Sequence, residues 1–148
     1  MTVFWITLSE DRFESHGDYV ALGNLKIGDF KEDFHASLSH WNQGRYRSQW
    51  QEALERLVKG EERSALVTSM YDPETANFIT WWPLYRDGDS VRVQNQVLLL
   101  DDLADSFDEL NPYRSVGQRE TRTEEGDPIS EWTVNLPDIE EFLAAHYG

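Results

Sequence analysis

Five carboxylates crowd the stretch holding Asp101, Asp102, Asp105, Asp108 and Glu109, and three more follow at Glu124, Glu125 and Asp127. Such oxygens can hold a hard cation, move a proton, or meet a basic partner. A calcium loop beginning at Asp101 needs an oxygen ligand at its third position and a glycine at its sixth, where the chain has Leu103 and Ser106. The histidines, His16, His35, His40 and His146, are dispersed, and only His35, beside Asp33 on a polar strand face, suits acid–base work. There is no glycine-rich phosphate loop, no HExxH helix, no GxSxG elbow and no dinucleotide fingerprint. These residues favour binding over catalysis and predict no cofactor and no metal. A carboxylate-based metal-dependent enzyme is the alternative from a different class.

Charge points the same way. The chain of 148 residues carries 28 acids against 13 bases, a formal net charge of −15. Residues 1–60 are nearly balanced, whereas Asp101–Gly148 holds 13 acids and 3 bases, a net of −10. Nucleic acid is disfavoured as a partner, because Lys and Arg on phosphate supply most non-specific affinity. A basic protein is the natural complement, whether as the target of an inhibitor or as the client of an acidic adaptor or regulator. The aromatic content of 13%, with six tryptophans, exceeds what one core of this size needs. Tyr and Trp are enriched at interface hot spots, so Trp81, Trp82 and Tyr85 join the eight carboxylates as candidate partner-binding residues. With no cysteine, no basic n-region and no apolar run near the ~20 residues of a membrane span, the expectation is a cytoplasmic protein with no membrane partner.

The elements that must position these residues read as an α+β fold, a single domain over residues 1–148 in which a twisted, mainly antiparallel sheet packs against helices. Asn77–Leu100 is a β-hairpin turning at Arg86-Asp87-Gly88-Asp89. Pro83 lacks an N–H, so the first arm should be bulged there, or Pro83 should lie where that N–H would have faced away from the partner strand. Trp81 and Trp82, being adjacent, point to opposite faces, one to the core and one to a surface that something else covers. Upstream, Val3–Leu8 reads as an interior strand. Tyr19–Ile27 is β-type with a hairpin or bulge signal at Gly23-Asn24, and Phe30–Leu38 alternates between a buried face and a wet one holding Lys31, Asp33, His35 and Ser37. Gln43–Lys59 is a helix with Tyr46, Trp50, Leu54, Leu57 and Val58 on one stripe, Asn42 as N-cap and Gly60 as C′. Ser64–Tyr71 is a strand. Asp101–Leu110 offers Leu103, Phe107 and Leu110 at helical spacing, Tyr113–Pro128 is a poorly paired strand or a loop, Ile129–Val134 is a last strand, and Pro137–His146 is a closing helix.

Several stretches go beyond pattern. Ile27-Gly28-Asp29-Phe30, Leu38-Ser39-His40-Trp41, the helical YRSQWQEAL from Tyr46 to Leu54, SALVTSMYDP from Ser64 to Pro73, and WWPLY from Trp81 to Tyr85 resemble, in order and spacing, the CdiI-type immunity proteins of bacterial contact-dependent growth inhibition. The likeness spans roughly residues 20–102 and is weakest in the acidic C-terminal third. It implies a small cytoplasmic protein that binds and neutralises the C-terminal domain of a cognate toxin, carries no catalytic residues, and faces a domain that is commonly a basic nuclease.

Overall fold

The computed structural model describes residues 3–147. Its first sheet is organised by β3 (Asp18–Ile27), which takes β1 (Phe4–Leu8) and β2 (Phe13–Ser15) end to end along one edge and β4 (Phe30–Ser37) along the other, all antiparallel. β1 is therefore an edge strand, where the sequence predicted an interior one. The expected break at Gly23-Asn24 is also absent. Gly23 lies mid-strand opposite Phe34, and a Cβ at Gly23 would come within 2.2 Å of the Phe34 ring. Glycine here is room for an aromatic ring, which in turn meets Trp50 edge-on at 5.9 Å. Ser37, expected on the wet face, is buried and hydrogen-bonds Asp18 and Ser39.

Helix α1 (Gln43–Val58) forms where its caps and stripe require. Asn42 Oδ1 accepts from the Arg45 N–H at 2.8 Å, and Tyr46, Trp50, Leu54 and Leu57 are fully buried, each worth about 1.5–3 kcal/mol gross before conformational entropy. Val58, assigned to the stripe, is instead exposed. Two side chains of α1 do the work of a neighbouring strand. Gln49 accepts from the Val67 N–H at 2.8 Å and donates to the Ala65 carbonyl at 2.8 Å, while Trp50 Nε1 donates to the Val67 carbonyl at 2.7 Å. They close the otherwise open edge of β5 (Arg63–Ser69). The Tyr46 hydroxyl donates to the Ser37 carbonyl at 2.6 Å and accepts from the Met70 N–H at 2.8 Å, tying β4 to the end of β5.

The second sheet runs β5, β6 (Phe78–Asp87), β7 (Ser90–Gln94), β9 (Glu131–Asn135), and β8 (Gln96–Leu99) also pairs with β6. The hairpin turns at Gly88-Asp89, with Gly88 at φ 63°, the left-handed region that glycine enters at little cost. Its second arm is split into β7 and β8, and the ladder keeps one register on both sides of the gap opposite Trp82 and Pro83. Pro83 thus causes no bulge in its own strand; the pairing of β6 with the second arm is instead interrupted opposite it, where it has no N–H to donate. The register shift lies instead in β5, between Val67 and Ser69. Where one sheet was expected, the strands divide into two antiparallel sheets, joined with α1 and the closing helix α2 (Leu136–Tyr147) in one continuous hydrophobic cluster. Phe142 of α2 meets Phe4 of β1 edge-on at 5.5 Å.

Candidate functional site

Trp81 and Trp82 do face opposite sides of the second sheet, yet both are 2% exposed. Trp82 is covered by the first sheet, with Phe30 at 6.2 Å and Trp132, itself stacked on Phe30 at 4.1 Å, at 5.5 Å. The chain's own acidic segment covers Trp81. Leaving β8 through a single tight turn at Leu100–Asp102, it lays Phe107 against Trp81 at 6.5 Å and buries Pro112, Tyr113 and Val116. The Gln94 amide donates to the Glu120 carbonyl at 2.8 Å, and the Arg56 guanidinium stands 4.1 Å over the Tyr113 ring. Trp81, Trp82 and Tyr85 are therefore core residues, which corrects their assignment to the partner surface: a strand apolar on both faces needs cover on both, and here the chain supplies it. The helix expected over Asp101–Leu110 does not form. Ten residues are too few for a helix without strong packing, Asn111-Pro112 closes it off, and Leu110 remains 77% exposed.

The eight candidate carboxylates separate into free and engaged groups. Asp101, Asp102 and Asp105 are exposed, and among the described residues no cation lies within salt-bridge distance of them. Glu124, Glu125 and Asp127 are also exposed, at a tight turn in which the Gly126 N–H bonds the Thr123 carbonyl at 3.0 Å and the Thr123 N–H bonds the Asp127 carbonyl at 2.8 Å. Asp108 caps the Leu110 N–H at 3.0 Å and lies 3.8 Å from Arg114. Glu109 is held by His40 Nε2 at 2.9 Å and Trp41 Nε1 at 3.1 Å, while Arg45 bonds its carbonyl at 3.0 Å and stands over the Trp41 ring at 4.3 Å. Burial works against the Glu109 charge, but these hydrogen bonds and the His40 and Arg45 charges outweigh it and hold its carboxyl below the usual carboxylate range. Glu109 is a fastener of the segment rather than a free charge. No group of three or more His, Asp or Glu side chains among the described residues is arranged to hold a metal ion, and none of the described helices is long and apolar enough to cross a membrane.

Beside the free acids lies apolar surface that the sequence did not single out. Phe78 (42%), Val97 (56%) and Leu99 (50%) are exposed, and the Phe78–Leu99 and Thr80–Val97 pairings put all three on one face. β8 pairs only with β6, so among the described residues its other edge stands open, immediately before Asp101. The available signal was the alternation of Phe78, Thr80 and Trp82 along one side of β6. It shows which residues share a face, but not how far the first sheet reaches over that face.

Comparison with known proteins places this geometry in a family. A family model described as the CdiI N-terminal domain matches residues 36–142. The chain is 32% identical over 140 residues to the immunity protein CdiI of Enterobacter cloacae subsp. cloacae, covering 95% of this chain and 96% of that one. Its fold superposes with a TM-score of 0.87 and 31% identity on a chain of a CdiA-CT/CdiI toxin and immunity complex from Enterobacter cloacae, covering 97% of each. The likeness runs on through the acidic third instead of ending near Asp102.

Proposed function

The chain belongs to the CdiI immunity-protein family, and its partner is the C-terminal domain of a cognate CdiA toxin; we propose that this domain is a basic nuclease, which the chain holds inactive in the cytoplasm by binding alone. The observation that carries the reading is the full-length likeness to one chain of a toxin and immunity complex. The charge imbalance of 28 acids to 13 bases supports a basic partner. In this reading Asp101, Asp102, Asp105, Glu124, Glu125 and Asp127 steer the toxin in, and the apolar patch of Phe78, Val97 and Leu99 supplies contact area that slows its departure. No reaction is assigned to the chain.

Co-expression tests it. Cells making the toxin domain of the neighbouring locus together with this chain are expected to grow, and the purified pair to bind with nanomolar or tighter affinity, on the order expected for specific inhibitors. Equal death with and without the chain would overturn the assignment.

A further inference from the structure

The end of the β6–β7 hairpin carries a hollow of about 370 Å3 whose chemistry runs against the rest of this acidic molecule. Four arginines line it: Arg63 from β5, Arg86 from β6, Arg92 from β7 and Arg119 from the covering segment. Arg119 is neutralised by Glu131, which it contacts through both Nε and Nη2. Arg63, Arg86 and Arg92 have no carboxylate within salt-bridge distance among the described residues, although Glu62 and Asp87 line the same hollow. Neutral oxygens hold them instead. Arg86 donates to the Leu57 and Gly88 carbonyls at 2.5 and 2.8 Å, Arg92 to Thr133 Oγ1 at 3.1 Å, and Arg63 to the Val116 carbonyl at 3.4 Å. Such acceptors fix a guanidinium without cancelling its charge, and a guanidinium does not lose its proton in a protein. Gathering like charges is unfavourable, and a chain with 28 acids has carboxylates available to pair with them. Tyr85 adds a phenol that burial keeps protonated, with Arg63 pulling the other way, so its O–H is a donor.

We propose that this hollow is an oxyanion site, taking one carboxylate or phosphate group on the forked donors of Arg63 and Arg92, which flank Tyr85 in one cross-strand row. The proposal stands apart from the immunity reading, because its first test uses the isolated chain. NMR of the arginine Nε–Hε groups is followed while inorganic phosphate, and separately acetate, replaces chloride at constant ionic strength. The expected result is a saturable shift of the Arg63 and Arg92 signals, weakened roughly tenfold or more by the double change R63Q/R92Q, since each lost charged hydrogen bond is worth about 1.5–3 kcal/mol. An unchanged melting temperature of that variant shows that it is folded. Shifts that do not saturate, or that persist in the variant, overturn the proposal. Repeating the phosphate titration on the toxin complex separates the sources: binding lost there assigns the site to a partner carboxylate, and binding retained assigns it to a free oxyanion.

Discussion

The two sheets finish their outer faces in opposite ways. The first leaves its outer face to water: Leu22, Lys31, Asp33 and His35 are exposed, and Trp5 is made compatible with solvent by donating to Asn24 at 2.6 Å and lying under Lys26 and Lys31 at 5.2 and 5.6 Å. The second puts Ile79, Trp81 and Tyr85 on its outer face, all buried, and uses the acidic segment as a third layer. The difference shows what the acidic segment is. Its charges ride on a backbone fastened to the core through Phe107, Tyr113 and Val116, so they are held in place before any partner arrives.

The sharpest way to break this comparison is to remove the two adjacent tryptophans in turn. Trp82→Ala, between the sheets, is expected to cost about 3–5 kcal/mol in global stability by urea unfolding. Trp81→Ala should cost less, because the Trp81 Nε1 makes no hydrogen bond and the covering layer can settle. It should also raise hydrogen exchange within residues 103–120 ahead of global unfolding. Unaltered exchange there in Trp81→Ala would mean that the segment is not a layer resting on Trp81.

A smaller effect tests the fastener at the other end of that layer. Glu109→Gln keeps the shape but loses the charge that His40, Trp41 and Arg45 hold, and is expected to cost about 1 kcal/mol at neutral pH, a modest figure because the pair is partly exposed. Because the folded carboxyl titrates below its ordinary value of 4.5, its contribution is fully present above that value and fades as pH falls through the folded value. The gap between wild type and variant should therefore narrow in acid. A gap that stays constant from neutral pH to well below 4.5 would show that the Glu109 charge contributes nothing.

Elements with local signals were legible. Asn42, the stripe from Tyr46 to Leu57 and Gly60 bound α1, and the alternation along Phe30–Ala36 holds because one side of β4 faces water up to His35, failing only at the buried Ser37. Contacts between distant segments were not. Gly23 reads as a turn residue until Phe34 is seen across the ladder, and Glu109 reads as a free acid until His40, 69 positions away, is beside it. Alternation predicted that Trp81 and Trp82 part company, but no periodic signal says what closes each face. Leu103, Phe107 and Leu110 have helical spacing, yet a short, carboxylate-rich segment has little to gain from helix formation by itself, and Phe107 packs on Trp81 instead.

The smallest expected change in stability carries the functional half of the comparison. Reversing Asp101 and Asp102 to Lys alters two exposed side chains without described ion pairs, so stability should move by no more than about 0.5 kcal/mol. Reversing Asp11 and Glu14, also exposed but beside the first sheet, changes the net charge by the same amount. If the acids beside the open edge of β8 steer the toxin, the Asp101 and Asp102 pair should slow association by roughly an order of magnitude at low salt and lose that effect as salt shortens the ~8 Å physiological Debye length, while dissociation barely changes. The Asp11 and Glu14 pair should then matter much less. Equal slowing by both pairs would mean that attraction comes from net charge alone and that fastening the acidic layer to Trp81 serves the fold rather than the encounter.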